Sequence, residues 1–315
     1  MNAASRTSYA SAVVAASLFV AAPAARAFEP LFVPNSTPGI LTGIAYAANP
    51  PPGLYFFNFA YGGESKVTGI GTAFGFDGFK VRSFHEVGAV LWTTPWQVLG
   101  ASWMMVWVGG GVHATLITPT GRTAAHVTGL INPGYSPMSL SWNLGGGLFA
   151  KAGVFVWAPV GSIVPGPFNN GLGSIGFPYW TLEGHFAVSY VADGWNLTAS
   201  MIYGIPTEND FSGVTNGNWL NLDLTATRKF GQWEIGAVGY YSTQVTDDRG
   251  CEGFYGPGVC AYGSRAAIGG LVGYDFGALD MKLSFTHAVH TENSLDGWKI
   301  WTKLSVPLWR PAGPS

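Results

Sequence analysis

The chain has 315 residues, and only 10% of them are charged, while aromatics reach 15% with 13 Trp and 45 Gly. Ordinary globular proteins carry about 25% charged residues, so a water-soluble surface of the usual kind is excluded. The formal net charge of −2 leaves no basic excess for a nucleic-acid partner, and past residue 27 no run of about 20 apolar residues offers a membrane-spanning helix.

The chain opens on Arg6, the apolar run SAVVAASLFVAA and then Ala25-Arg26-Ala27. A positive start, a short apolar core and an A-x-A site read as a secretory signal peptide over residues 1–27, cleaved after Ala27. Export places Cys251 and Cys260 in an oxidising compartment. Residues 28–50 are rich in Pro and small side chains, and are expected to plug a lumen or to be disordered. Strands are expected at 54–61, 66–74, 79–92, 96–108 and 147–158, while the Gly-rich stretch 109–146 yields no clear assignment.

Beyond residue 190 the pattern sharpens. In WNLTASMIYG (195–204), Trp195, Leu197, Ala199, Met201 and Tyr203 share one face; Asn196, Thr198, Ser200 and Gly204 share the other, interrupted by Ile202. In NWLNLDLTATRKF (218–230), Leu220, Leu222, Leu224 and Ala226 oppose Asn221, Asp223, Thr225, Thr227 and Lys229. The strand from Trp233 sets Ile235, Ala237, Tyr241 and Val245 against Glu234, Ser242, Gln244 and Thr246. LDMKLSFTHAVH (279–290) sets Leu279, Met281, Leu283, Phe285 and Val289 against Asp280, Lys282, Ser284, Thr286 and His290. A period of two is the strand period; a helix would scramble these sets.

These segments run to about 10–13 residues, longer than the usual 5–6 of globular strands and matched to the 9–11 that a tilted strand needs to cross a bilayer. Connections alternate in length. Short ones fall at Asp193-Gly194, Gly231 and 275–278; long ones at 205–217, 247–262 and, more modestly, 291–297. Outer-membrane barrels alternate short periplasmic turns with long extracellular loops in this way. The expected fold is therefore an all-β, antiparallel transmembrane outer-membrane β-barrel over residues 51–309, of about 12 strands within a range of 10–14, followed by a short tail at 310–315. Trp195, Trp233, Trp301 and Trp309 are expected as interface anchors.

Two segments carry a family resemblance: GNWLNLDLTATRKFGQWEIGAVGYYSTQVTDDRG (217–250) and GSRAAIGGLVGYDFG (263–277). The strand ending in Gly239, Tyr240, Gln244, Val245, Thr246, Asp247 and Asp248, and the following G-Y-x-F at Gly273, Tyr274 and Phe276, resemble the MetA-pathway phenol-degradation family of outer-membrane transporters. PPGLYFF (51–57) and Ala158-Pro159-Val160-Gly161 resemble its earlier segments. The resemblance spans residues 180–309 best and implies a non-catalytic outer-membrane channel.

Candidate chemistry is sparse. GLGSIG at 171–176 satisfies a nucleotide-binding spacing but lacks a preceding strand, and Pro178 blocks a following helix. His287 and His290 fall on opposite faces of a strand. Ser83 and His85 share a face about 6.6 Å apart, the only pair here that resembles the Ser–His arrangement on the outer wall of barrel hydrolases. Cys251 and Cys260, bracketing EGFYGPGV, are expected to form a disulfide. The charged run Asp247, Asp248 and Arg249 is weighed as a calcium site, as a catalytic acid pair and as a solvated channel mouth; too few oxygens lie nearby for calcium, and the mouth reading is adopted.

The inward face is expected to carry Asn221, Asp223, Thr225, Thr227, Lys229, Glu234, Tyr240, Ser242, Gln244, Asp280, Lys282, Ser284, Thr286, His290, Lys299 and Lys303. No metal, cofactor or covalent chemistry is implied. The expected function is passive transport of small hydrophobic or aromatic compounds. The rivals are a closed structural or surface-interaction barrel and, third, a barrel hydrolase. Expected partners are outer-membrane lipid, lipopolysaccharide, the solute itself and the barrel-assembly machinery.

Overall fold

The computed structural model describes residues 34–69, 75–164, 174–256 and 260–311. The signal peptide, residues 28–33 and the first half of GLGSIG lie outside the described residues.

Thirteen antiparallel strands form one sheet that closes on itself. They are β1 (Gly53–Val67), β2 (Lys80–Val98), β3 (Ala101–Ile117), β4 (Thr123–Leu130), β5 (Gly134–Gly145), β6 (Leu148–Trp157), β7 (Thr181–Ala192), β8 (Trp195–Pro206), β9 (Trp219–Phe230), β10 (Trp233–Gln244), β11 (Ser264–Asp275), β12 (Asp280–Glu292) and β13 (Leu295–Trp309). Closure comes from β1, which pairs with β13 on one side and β2 on the other. β4 and β5 both pair with β3, along its upper and lower halves. They form one interrupted stave, so the wall has twelve positions.

The interruption at 131–133 has a local cause. Pro133 has no N–H to give a ladder, and Asn132 turns its buried side chain to the backbone of the β6–β7 connection. Its Nδ2 donates to Phe177 O (2.9 Å), and its Oδ1 accepts from Gly161 N and Phe177 N (3.2 Å each). Beyond this point β4 is paired on its β3 edge only.

Side chains are sorted in the reverse of a soluble core. On β7, Glu183, His185 and Ser189 are buried, while Leu182, Phe186 and Val188 are exposed. On β8 and β9, Asn196, Thr198, Ser200, Asn221, Asp223, Thr225 and Thr227 are buried, whereas Leu197, Met201 and Leu224 are exposed. This is the pattern of a wall with lipid outside and polar contents inside.

The turns follow from sequence. Asp193 (φ 53) and Gly194 (φ 78) both take the left-handed region, as a two-residue type I′ hairpin requires and as Asp-Gly supplies. The β8–β9 and β10–β11 connections are long, and the latter holds a short helix, α1 (Cys251–Tyr255). Three expectations change. The 66–74 segment is the β1–β2 loop beyond Val67, apart from 70–74, which lies outside the described residues. The 109–146 stretch holds the end of β3 with β4 and β5. The expected outer loop at 291–297 is a tight turn at Asn293-Ser294, with Asn293 at φ 46.

Candidate functional site: the divided lumen

Residues 34–50 lie inside the barrel as successive tight turns, with Ile40 N donating to Thr37 O, Thr42 N to Gly39 O and Ile44 N to Leu41 O. Such turns leave many backbone groups unpaired, and the wall supplies their partners. Both Asp223 carboxylate oxygens accept from the segment, one from Gly39 N (2.9 Å) and one from Leu41 N (2.8 Å). Gly43 N donates to Thr225 Oγ1 (2.8 Å) and Asn221 Nδ2 donates to Ser36 O (2.6 Å). Lys303 Nζ donates to three carbonyls, Gly39 O (3.0 Å), Ile40 O (2.8 Å) and Thr42 O (2.5 Å); Lys299 Nζ donates to Pro38 O (3.1 Å) and Lys282 Nζ to Gly43 O (2.7 Å). Hydrogen bonds to a charged partner contribute about 1.5–3 kcal/mol each, so the lysines and Asp223 are the main ties.

The other side of the segment is apolar. Ile40 and Ile44 pack on Phe59, Val87 and Ala89 of β1 and β2. Leu41 joins Ile202 and Trp219 in a separate buried cluster; Gly204, beside Ile202 on β8, leaves room for the Trp219 ring, which a Cβ there would strike. The Ile202 that interrupts the polar face of β8 is thus a docking point for Leu41.

The segment stands between two cavities. The outer one, about 180 Å³, is bordered by the Asn293-Ser294 turn and lined by Ser83, His85, Val112, Ile131, Trp157, Ile175, Phe177, Arg265, Trp298 and Lys299. The inner one, about 460 Å³, lies at the short-turn end beside Gly194 and is lined by Phe57, Lys229, Glu234, Asp280, Lys282 and Lys303. Most inner-cavity charges are paired: Lys282 Nζ lies 2.8 Å from Glu234 Oε2 and 3.8 Å from Asp280 Oδ1, and Lys229 Nζ lies 3.7 Å from Asp275 Oδ2, while Lys303 bonds the carbonyls of the segment instead.

The expected inward residues are distributed as follows. Asn221, Asp223, Thr225, Thr227, Glu234, Tyr240, Gln244, Ser284, Thr286, Lys299 and Lys303 are buried; Ser242 borders the outer cavity; Lys229, Asp280 and Lys282 border the inner one. His290 differs: it is exposed at the outer rim, where its Nε2 meets Ser264 Oγ at 2.9 Å. A register shift between Ala266 and Ala267 inserts one extra β12 residue and breaks the alternation before His290. Trp301 also differs from the anchor expected of it. It is fully buried, 4.1 Å from the Tyr61 ring, because it shares the parity of Lys299 and Lys303; Trp195, Trp233 and Trp309 are exposed on the wall.

Ser83 and His85 are in contact, Oγ to Nε2 at 3.1 Å. They face the outer cavity rather than the outer wall, and the His85 ring stacks on Tyr61 at 3.9 Å. Among the described residues no carboxylate hydrogen-bonds His85, so the third member of a hydrolytic triad has no representative here.

At the mouth, Asp248 accepts from Gly217 N (2.6 Å) and Gln244 Nε2 (3.0 Å), and the Arg249 backbone pairs with Thr215. The charged run therefore ties the β10–β11 connection to the β8–β9 connection. Asp247 accepts from Tyr262 Oη (3.2 Å); burial, and then the Asp247 carboxylate, push the Tyr262 phenol up to about 12. Cys251 and Cys260 form a disulfide, and both are buried against Val214 of the neighbouring connection.

Sequence reasoning missed Glu183, His185 and Arg265. The first two form a buried relay with the inner segment: Ser36 Oγ donates to Glu183 Oε2 (2.7 Å), which meets His185 Nε2 (2.8 Å), and Tyr46 Oη meets His185 Nδ1 (2.7 Å). The alternation of TLEGHFAV (181–188) places both opposite Leu182 and Phe186, and Arg265 shares the parity of Ala267 and Leu271.

A closed barrel with apolar staves, short turns at one end and mostly longer connections at the other has the architecture of an outer-membrane β-barrel. The family model described as "Putative MetA-pathway of phenol degradation" matches residues 58–304, and the chain belongs to that family. Among solved structures, the COG4313 outer membrane channel from Pseudomonas putida F1 is similar at 11% identity and TM-score 0.63, over 82% of this chain and 96% of that one. The β domain of the Bordetella autotransporter BrkA matches at 11% identity and TM-score 0.48, over 80% and 98%. The translocator domain of the autotransporter NalP from Neisseria meningitidis matches at 10% and 0.46, over 81% and 88%. No curated protein matches the sequence.

Proposed function

We propose that the protein is a passive outer-membrane channel for small hydrophobic or aromatic compounds. The observation that carries this reading is the outer cavity, whose wall is built from Trp157, Phe177, Trp298, Val112, Ile131 and Ile175 and whose size suits one small molecule. Pockets for drug-sized ligands run to about 300–1,000 Å³, so a solute of one ring fits the scale. Passage to the inner cavity requires the 34–50 segment to shift, and its hydrogen bonds set the resistance. Family membership supports the aromatic solute class. Outer-membrane lipid and lipopolysaccharide surround the barrel, the barrel-assembly machinery inserts it, and the export signal at 1–27 delivers it.

The test is entry of labelled phenol into lipopolysaccharide-containing vesicles bearing the folded protein, alongside planar-bilayer conductance. Faster phenol entry with low ionic conductance is expected. If the protein accelerates neither phenol nor ions, the channel reading fails and the closed surface barrel takes its place. Phospholipid hydrolysis by the wild type, lost in Ser83→Ala, would instead point to the hydrolase.

A further inference from the structure

The outer cavity holds two basic side chains that form no ion pair among the described residues. Arg265 of β11 and Lys299 of β13 are 7% and 8% exposed, and both line this cavity. Arg265 Nη2 donates only a long bond to Gly297 O (3.5 Å), and its buried Nε has no hydrogen-bond partner. Lys299 Nζ bonds one carbonyl, Pro38 O. Both cations sit over the Tyr240 ring, at 5.7 Å and 5.1 Å from its centroid, and Lys299 also lies 5.5 Å from the centroid of Tyr61. Ring contacts of this kind offset part of the desolvation of a cation but cancel no charge. Among the described residues neither side chain has an ion-pair partner; Asp223 of β9 acts on Lys299 only at longer range, with its oxygens hydrogen-bonded to the amides of Gly39 and Leu41.

Two buried basic groups over one ring, one with an unsatisfied N–H, are costly unless an anion joins them. The rest of the cavity wall mixes aromatic and aliphatic side chains, Trp157, Phe177 and Trp298 among them, with small uncharged polar ones such as Ser83 and Ser242. A ligand that satisfies both halves has one anionic group on a small apolar body. We infer that the outer cavity is a binding site for a single-ring aromatic carboxylate, its carboxylate held by Arg265 and Lys299 and its ring against Trp157, Phe177 and Trp298. The guanidinium matches a carboxylate through two parallel N–H donors, Nε being one. Lys299 adds a point charge from the adjacent wall. The inference rests on the channel reading for the side from which the solute arrives; the charge arrangement itself does not depend on transport.

The experiment is equilibrium dialysis of folded protein in neutral detergent, at pH 7.5 and low salt, with labelled benzoate and labelled benzamide, its neutral counterpart. Benzoate is expected to bind saturably and at least tenfold more tightly than benzamide. Arg265→Gln and Lys299→Gln are each expected to weaken benzoate tenfold or more and to leave benzamide within twofold. Equal binding of the two ligands, no saturable benzoate binding, or benzoate affinity unchanged in the variants would overturn the inference. Heat-modifiable gel migration reports whether each variant is folded; if one is not, the other variant and the wild-type ligand pair still decide. Binding without accelerated phenol entry would retire the channel reading and leave the site. Phenol entry without preferential benzoate binding would do the opposite.

Discussion

The two sides of the 34–50 segment handle charge differently. On the inner side Lys282 meets Glu234 and Asp280, and Lys229 meets Asp275. On the outer side Arg265 and Lys299 lie over aromatic rings and, among the described residues, form no ion pair. The inner cavity is largely a set of acid–base pairs, with Lys303 satisfied by the carbonyls of the segment, and its charges serve to fix the segment and the wall. The outer cavity is an open set, and openness of this kind is what a binding site for an anion needs. Barrel interiors lined with both signs can therefore be structural at one level and receptive at the next, and counting charges along the whole lumen would hide the difference.

The comparison can be broken most forcefully by deleting residues 34–50. With the divider gone the two cavities should merge, and single-channel conductance should rise at least tenfold, equivalent to about 1.4 kcal/mol or more of barrier. An unchanged conductance in planar bilayers would mean that the segment does not separate the two sides. A smaller effect should come from removing one charge on each side. Glu234→Gln removes the nearest counter-charge of Lys282 and should lower stability by about 1–2 kcal/mol, less than the ~3–5 of a fully buried pair, because Lys282 keeps 15% exposure and its contacts with Asp280 and Gly43 O. Arg265→Gln should leave the ligand-free barrel as stable or more stable, since it relieves a like-charge pair. The temperature of the heat-modifiable gel transition reads both, and a loss of equal size in both variants would erase the distinction.

Leu41→Ala should weaken docking of the segment by about 2 kcal/mol, the low end for a buried Leu, because it empties the contact with Ile202 and Trp219. Hydrogen exchange at the Gly39 and Leu41 amides should speed up accordingly. The smallest effect is expected at the outer rim, where Glu64 pairs with Lys80 and Arg82 at 2.8 Å each in largely exposed positions. Glu64→Gln should cost under about 1 kcal/mol and leave both cavities, hence benzoate binding and conductance, unchanged.

Much of the wall was legible because alternation is a local property. The β8, β9 and β10 faces could be read residue by residue, and the same parity that placed Lys299 and Lys303 inward also required Trp301 to be inward; its aromatic character drew it wrongly to the interface. His290 was misplaced because a bulge depends on the partner strand, which no single strand reveals. The β4–β5 stave was obscured by Gly and by the break at Pro133. The inner segment was the hardest to read. Its turns carry no period, and its partners are scattered over the wall. One clue existed, the apolar Ile202 on an otherwise polar face, which marks a place where something apolar must arrive from within. Arg265 escaped notice because small residues surround it and leave the strand with a weak pattern.

The ties of the inner segment also order events in time. Its bonds to Lys299 and Lys303 join residues separated by 261 to 264 positions, near the largest separation the barrel allows. Contacts of such range form late, after the loop they close has been organised by other interactions. The segment precedes every stave in the chain, yet its partners come together only once β9 to β13 are all in the wall. The native seat of the segment thus depends on nearly the whole sheet, as does the β1–β13 seam that closes it.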